Sequence, residues 1–243
     1  MFQHVPKQRI LSIAAGSLPT TTSLVSITLG TNYPRGAMFI LITQQNATTA
    51  TAQTINVLGP GGEQSLGSYG PFAFDAATNA IHGWTVWRAT TGYTAGQTIF
   101  IQGSGNFFNL THVSLYYLEN TTQYLGYSTG ANAAGANAIF ELLYTIGTGV
   151  SVSNAYRYST LEIIVNTNPN GAAWNGLGIG VTNSVAPEGG AWTSVTNAGG
   201  GTLGIVNLWS NYLNRPPTQN TGIRGRYATA INNSWAFIRF GGG

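Results

Sequence analysis

Cysteine is absent and charged residues are scarce in this sequence of 243 residues. Without cysteine the chain can form no disulfide and offers no thiolate to a metal ion. Only 6% of its residues are Asp, Glu, Lys or Arg, whereas about 25% is usual in a soluble protein. Asn, Thr, Ser, Gln and Gly must therefore supply most of the polar surface. Such a surface lacks the charge repulsion that keeps monomers apart, and it favours permanent assembly.

Long apolar runs are missing as well, since the longest extends only over 37–42. A membrane-spanning helix needs about 20 apolar residues, so we expect no membrane span. Residues 7–16 combine a basic start with a short apolar part that Ser12 interrupts. No clear cleavage site follows, and we expect no secretion signal.

Basic residues outnumber acidic ones by nine to six, and Lys7 is the only lysine. They concentrate at the two ends of the sequence, at His4, Lys7 and Arg9 and at Arg215, Arg224, Arg226 and Arg239. Nucleic-acid-binding proteins gather such residues on one face. One interpretation of these residues is therefore contact with nucleic acid. The other is that the terminal arginines pair with carboxylates or carbonyls of a neighbouring subunit. We favour that pairing and expect no direct contact with nucleic acid.

Residues that carry catalysis are few and dispersed. No two of the six carboxylates fall within one predicted strand, whereas sugar hydrolases need two that are about 5 to 10 Å apart. Glu162 is expected to face outward from a strand or to pair with an arginine, and Glu63 and Glu188 lie in predicted glycine-rich loops. The sequence contains no Gly-x-Ser-x-Gly motif, and its three histidines lack the spacing of a metal site. We predict a non-enzymatic protein without a cofactor or metal.

Short segments with strand-like residues recur along the whole sequence. They are 24–29, 37–43, 55–57, 81–88, 98–102, 113–118, 160–166, 177–182, 203–210, 221–226 and 234–240. Gly and Asn separate them, which is typical of a β-sandwich or jelly roll. The run 37–43 is apolar enough for a strand that is covered on both faces. Only 136–144 has apolar residues spaced as on one face of a helix.

The two halves of the sequence match each other at an offset of about 122 residues. This offset aligns Trp87 with Trp209, and it aligns the aromatic final strand 113–118 with 235–240. We therefore predict an all-β fold of two tandem sandwich or jelly-roll domains related by internal duplication. The predicted parts are an N-terminal arm (1–19), a first domain (20–120), a linker (121–135) and a second domain (136–243).

Each half has an apolar strand (36–42 and 159–165), then a Trp strand, then a last strand with Asn and Ser before its aromatics (109–117 and 232–238). This order resembles the β-sandwich modules of tailed-bacteriophage virion proteins, such as decoration (cement) proteins and tail appendages. Two tandem barrels approached through Ala14-Ala15-Gly16 are also similar, more weakly, to double jelly-roll coat proteins. The resemblance implies a capsid protein that is assembled in the host cytoplasm. Its expected partners are other virion subunits, and the expected homo-oligomer is a trimer.

Aromatic residues in predicted loops are the candidates for contact with a partner. They are Trp174, Trp192, Tyr69 and Tyr93. We expect them to be exposed and to lie either at a subunit interface, where Tyr and Trp are enriched, or against a glycan; we favour the interface. Trp87 and Trp209 are instead expected in the core of each domain.

The polar segment Met1–Arg9 is unlikely to fold alone, and we expect it to act as an assembly arm. Its basic residues, His4, Lys7 and Arg9, would then lie against an adjacent subunit. The alternative function is that of a tail-fibre or adhesin-like module that binds glycans through the loop aromatics.

Overall fold

The computed structural model of the chain describes the residues 8–17, 24–46, 55–61, 63–75, 80–103, 112–132, 139–144, 160–168, 174–178, 193–198, 205–213, 221–227 and 233–242. These residues form β-strands joined by turns, and there is no helix among them. The strand pairings that define the sheets are antiparallel. The predicted all-β class is therefore confirmed for the described part of the chain.

The chain divides into two compact units. The N-terminal unit comprises Ile10–Glu119 and Ala198–Leu203, and the C-terminal unit comprises Met1–Arg9, Asn120–Asn197 and Gly204–Gly243.

Eight strands belong to the first part of the chain. They are β1 (Arg9–Ser17), β2 (Leu24–Thr28), β3 (Met38–Asn46), β4 (Ile55–Leu58), β5 (Glu63–Asp75), β6 (Ala80–Ala89), β7 (Thr98–Gly103) and β8 (His112–Glu119). One sheet has five strands in the order β1-β8-β3-β6-β5, and the other has three in the order β2-β7-β4. Strand β2 pairs with β7, and β3 pairs with β6, as in a long hairpin that is rolled up on itself.

Eight further strands follow. They are β9 (Gln123–Asn132), β10 (Ile139–Tyr144), β11 (Thr160–Asn168), β12 (Trp174–Gly178), β13 (Thr193–Ala198), β14 (Ile205–Leu213), β15 (Thr221–Tyr227) and β16 (Asn233–Gly241). They form a sheet in the order β13-β14-β11-β16-β9 and a sheet in the order β10-β15-β12. If β9 is counted as the first strand and β16 as the eighth, both orders are the same as those of β1 to β8.

Strand β3 lies at the centre of the five-stranded sheet of the N-terminal unit, paired with β6 and β8. Every residue from Met38 to Thr43 is buried, although successive side chains point to opposite faces of a sheet. The prediction of a strand that is covered on both faces is thus confirmed. One face of β3, with Phe39 and Leu41, packs in a core that also contains Ile99 and Ile101 of β7. The two sheets of this unit therefore share one hydrophobic core.

Three segments that were not predicted as strands contain strands in the structure. The segment with helical spacing, 136–144, contains the strand β10, which pairs with β15 from Ile139↔Arg226 to Tyr144↔Thr221. Its six residues are too few for a helix that is stable alone, and Ile139 and Phe140 suit a strand. The expected linker 121–135 contains β9, which pairs with β16. The expected arm 1–19 contains β1, which lies next to β8 in the sheet.

Two predicted loop or strand boundaries also change. The Gly-rich segment after β4 leads directly into β5, so that Glu63 is the first residue of a long strand and not part of a loop. Strand β12 begins at Trp174, three residues before the predicted start of 177–182. Residues 179–182 lie outside the described part of the chain.

Two similar turns meet at one end of the N-terminal unit. Thr31-Asn32-Tyr33-Pro34-Arg35-Gly36 joins β2 to β3, and Thr91-Gly92-Tyr93-Thr94-Ala95-Gly96 joins β6 to β7. Tyr33 and Tyr93 form an antiparallel bridge in which each backbone N–H donates to the other carbonyl, at 2.8 and 2.9 Å. We call these segments the paired turns. Sequence reasoning missed them, although both contain the pattern Thr-x-Tyr-x-x-Gly.

The paired turns repeat each other's backbone contacts. Gly36 N–H donates to the carbonyl of Ala89, and Gly96 N–H donates to that of Leu29, both at 2.9 Å. Gly36 and Gly96 have φ of 86° and 87°, which is costly for a residue with a Cβ. Two side-chain contacts are not repeated: Asn32 accepts a hydrogen bond from Ala95 N–H at 2.8 Å, and Gln97 accepts one from Thr94 N–H at 2.7 Å.

The corresponding position in the second turn is Gly92, which has no side chain to offer to the backbone N–H of Arg35. A Cβ at Gly92 would lie 3.6 Å from that nitrogen and 3.4 Å from the Tyr33 carbonyl oxygen, which are ordinary contact distances. We expect Gly92→Asn to raise the free energy of unfolding by about 1 kcal/mol, through the added hydrogen bond and a less flexible unfolded chain. Urea denaturation measures this difference.

The matched control for this prediction is Asn32→Ala, which removes the existing hydrogen bond to Ala95. We expect it to lower the free energy of unfolding by about 1 kcal/mol. An equal or lower stability of Gly92→Asn relative to the unmodified chain would contradict the symmetry of the paired turns.

Candidate interaction surfaces

Tyr93 lies in a turn as expected, but its side chain is only 1% exposed. The expectation that it offers an exposed ring to a partner is therefore wrong. Its ring stacks on Phe39 with the centroids 5.5 Å apart, and Phe39 also stacks on Trp87 at 5.3 Å. The backbone bridge to Tyr33 holds Tyr93 over the core. Sequence reasoning placed it outside because turn residues are usually exposed.

Phe39 is the centre of a cluster of aromatic rings under the paired turns. Tyr33 meets it edge to face at a centroid distance of 5.2 Å, and Tyr117 of β8 lies 5.0 Å from Tyr33. Trp87 is 1% exposed, which confirms that this tryptophan is a core residue. Aromatic pairs of this kind stabilise a fold beyond the area that they bury. The aromatic cluster therefore supports the unit and is not a binding platform.

One carboxylate reaches this cluster. The hydroxyl of Tyr93 donates a hydrogen bond to Glu63 at 3.0 Å. Burial raises the pKa of Tyr93 well above its usual range, and the hydrogen bond and negative charge of Glu63 add to the rise. A Cβ at Gly59 would overlap both the Glu63 carboxylate and the Tyr93 hydroxyl. A side chain at position 59 would therefore displace the Glu63 carboxylate from this hydrogen bond.

The hydroxyl groups of two threonines also contact the β4–β5 loop. Thr90 and Thr91 both direct their side-chain hydroxyls to the carbonyl of Gly61, at 3.4 and 3.2 Å. The bond between Tyr93 and Glu63 and these two contacts tie the β4–β5 loop to the second of the paired turns. The arrangement is structural, since its one carboxylate is engaged by a buried tyrosine.

The other predicted contact residues occupy different places. Tyr69 lies within β5, and Trp174 is the first residue of β12, where it pairs with Tyr227. Neither is in a loop, so the predicted loop positions are corrected. Trp192 lies outside the described residues. Trp209 lies in β14 opposite Ile164 of β11.

The predicted assembly arm is described only at its end. His4 and Lys7 lie outside the described residues, and Arg9 is the exposed first residue of β1. Gln8, just before it, is buried, and its side-chain amide donates a hydrogen bond to the hydroxyl of Thr121 at 3.1 Å. The chain is therefore anchored from Gln8 onward, and any arm must be shorter than expected.

Two of the terminal arginines lie directly opposite acidic residues of the same chain. The register pairs Glu162 of β11 with Arg239 of β16, and it pairs Glu141 of β10 with Arg224 of β15. Directly opposed positions share one face of a sheet, where opposite charges attract. The expected pairing of these arginines with a neighbouring subunit stays a prediction.

An exposed face without charge lies on the three-stranded sheet of the N-terminal unit. We call it the uncharged face, and it comprises Leu24, Ser26, Asn56, Leu58, Phe100 and Gln102, all of which are exposed. The register places Gln102 between Leu24 and Asn56, and Phe100 between Ser26 and Leu58. Leu24, Leu58 and Phe100 are 46%, 45% and 39% exposed. Sequence reasoning did not predict this face. Phe100 alternates with the buried Ile99 and Ile101, so it occupies an outward position where a polar residue is usual.

The described side chains offer little for chemistry. Among them, no three His, Asp or Glu residues come together as a metal site would require. A search of the same residues finds no helix with the length and hydropathy needed to span a membrane. Of the surfaces in the described part of the chain, the uncharged face is the most distinctive.

Alkaline pH should unfold this protein. Burial raises the pKa values of Tyr33, Tyr93, Tyr117 and Tyr124 above the usual 10.0. Above pH 10 the unfolded chain loses these protons more readily than the folded chain, so stability is complete below pH 10 and falls as pH rises further. We expect a slope of up to about 1.4 kcal/mol per pH unit for each tyrosine. Urea denaturation at pH 8 to 11 measures it.

The variant Tyr93→Phe should make this decline shallower, because one of the four buried phenols is removed. Tyrosine ionisation, followed by its ultraviolet absorbance, should coincide with the loss of strand signal in circular dichroism. A stability that is the same at pH 8 and pH 11 would contradict the burial of these hydroxyls.

Comparison with known proteins identifies no family for this chain. No protein-family model matches the sequence, and a search of curated proteins finds no match at a significant level.

Proposed function

We propose that this chain is a non-enzymatic structural subunit of a virion, which works by burying surface against copies of itself and other capsid subunits. The observation that carries the proposal is the strand order. In each unit, the first, eighth, third and sixth strands are neighbours in one sheet, and the second, seventh and fourth are neighbours in the other. This order supports a jelly roll, an architecture that viral capsid proteins use.

In this proposal the two units are jelly rolls that arose by duplication of one ancestral domain. The shared strand order supports duplication, as does the offset of about 122 residues between β3 and β11. The same features favour a coat subunit with two tandem jelly rolls over a capsid decoration protein. A coat subunit needs no catalytic residue, because lattice contacts alone stabilise a shell.

The low charge of the chain supports assembly as well. Only 15 residues in 243 are Asp, Glu, Lys or Arg, and the strand registers place Glu141 opposite Arg224 and Glu162 opposite Arg239. A surface of amides, hydroxyls and small apolar groups can approach a copy of itself without charge repulsion. The proposed partners are therefore other subunits in the virion, in trimers or larger assemblies, and not nucleic acid or membrane.

Glycan binding by a tail-fibre or adhesin-like module is the competing function. Jelly rolls also serve as lectins, so strand order alone does not separate the two. The burial of Tyr93 removes one of the four aromatics proposed for glycan contact. A glycan array with the full chain tests the alternative, and specific binding that is lost on Trp174→Ala or Trp192→Ala would favour it over the coat subunit.

Self-association of the purified full chain should be insensitive to salt. Contacts between uncharged surfaces depend on apolar burial, which salt does not screen, whereas ion pairs weaken as salt rises. We expect sedimentation velocity to detect oligomers or particles whose association constant changes by less than about twofold between 0.05 and 0.5 M NaCl. A monomer at every concentration up to about 1 mM, at both salt levels, would contradict a coat subunit.

The N-terminal residues test the assembly arm separately. Deletion of residues 1–7 leaves Gln8 and β1 in place, whereas deletion of residues 1–15 would remove most of a sheet strand. We expect the shorter deletion to fold with an unchanged melting temperature but to assemble into particles at least tenfold less efficiently, as counted by electron microscopy. Normal assembly after that deletion would exclude an arm.

A further inference from the structure

The uncharged face departs from the usual pattern of a half-exposed strand. On β7, Ile99 and Ile101 are buried in the core, and the alternate positions Phe100 and Gln102 are exposed. On β2, Val25 and Ile27 pack against the core, which leaves Leu24 and Ser26 outside. Polar residues are the usual choice at such outward positions. Phe100, Leu24 and Leu58 are therefore exposed apolar side chains at outward positions of this sheet.

The chemistry of this face fits a second copy of itself. Leu24, Leu58 and Phe100 would gain from removal of their apolar surface from water. The side chains of Ser26, Asn56 and Gln102 each contain both a hydrogen-bond donor and an acceptor. Groups with both functions can pair with identical groups, whereas a face with one sign of charge would repel its own copy. A two-fold contact brings the same patch of both copies together and needs such self-complementarity.

The size of the face sets the strength of the contact. Three strands about 4.8 Å apart and about five residues long cover on the order of 240 Å². A stable complex buries about 800 Å² on each partner. A dimer through this face alone would be weak. Many such contacts made at once in a shell would nevertheless hold firmly, because each additional contact forms within an existing assembly.

We propose that the uncharged face of the β2-β7-β4 sheet is a two-fold contact between copies of this chain. This inference rests on the proposed structural role and names one of the surfaces through which that role is performed. Phe100 is the central residue of the contact, since it lies between Ser26 and Leu58 in the middle strand. The occupant is a second identical chain that presents the same three strands.

Opposite charges at Phe100 test this contact in the full chain. Phe100→Glu and Phe100→Arg each place a charge next to its copy across the two-fold axis, where like charges repel. We expect each variant alone to associate at least tenfold more weakly than the unmodified chain in sedimentation velocity at 0.05 M NaCl. An equimolar mixture of the two should recover most of the association, because the two introduced charges then attract each other.

A control variant separates the face from exposed apolar surface in general. Leu11 of β1 is 41% exposed but does not belong to the uncharged face. Leu11→Glu should associate within about twofold of the unmodified chain. We expect all three variants to be folded, because Phe100 and Leu11 both lie outside the core. Circular dichroism and the melting temperature check this.

Each outcome bears on the inference. Unchanged association of Phe100→Glu and Phe100→Arg, with the unmodified chain still assembling, would overturn the contact while leaving the structural role intact. Weakened association that the mixture fails to recover would also overturn it, since the face would then bind a different surface. Saturable binding of the unmodified chain to a glycan array, lost in Phe100→Glu, would identify a sugar as the occupant instead. An unmodified chain that never associates would overturn the proposed function itself.

Discussion

The bridge between Tyr33 and Tyr93 is the interaction on which the N-terminal unit depends most. The backbone N–H of each tyrosine donates a hydrogen bond to the carbonyl of the other. Each tyrosine lies in a turn that connects one sheet to the other. The bridge therefore sets the register of β2 against β7 and of β3 against β6 together. A slip of one residue in either pair would turn the buried face of a strand toward water. The rings of the two tyrosines then cover Phe39, so that backbone pairing and core packing support each other.

The scarcity of charge is a second constraint, and it connects the fold to the proposed role. A strand whose outward residues are Asn, Gln, Ser and Thr can be exposed in one setting and buried against an identical strand in another at modest cost. A charged residue is costly to bury without a partner. Glu63 is half-buried with Tyr93 as its partner. The uncharged face is accordingly free to lie against a neighbour.

The sequence predicted those parts of the fold that depend on local pattern. Period-two alternation located β2 and β7, and the continuous apolar run located β3, because burial of one or both faces leaves a direct mark on composition. It failed where pairing decides the structure. The sequence of β9 is polar and resembles a linker, and only its pairing with β16 makes it a strand. The six residues of β10 fit a helical period as well as a strand. The long strand β5 begins in a Gly-rich segment that reads as a loop.

The candidate surfaces were harder to predict than the strands. Tyr93 was expected outside because it follows Gly92 in a turn, but its burial results from a bridge to a residue 60 positions earlier in the sequence. The exposure of Phe100 was not predicted, because exposure depends on which neighbours cover a residue and not on its own type. Both cases are long-range consequences of the rolled strand order. The repeated Thr-x-Tyr-x-x-Gly pattern was the one local trace of that order.

Hydroxyl-radical footprinting of the full chain, dilute and assembled, tests the central claim most directly. Oxidation of a side chain follows its exposure to solvent, so Phe100, Leu24 and Leu58 should be modified in the dilute protein and protected in the assembled one. The buried Trp87 should be protected in both, and the exposed Leu11 should be modified in both. Equal modification of Phe100 in the dilute and the assembled protein would contradict assembly through the uncharged face.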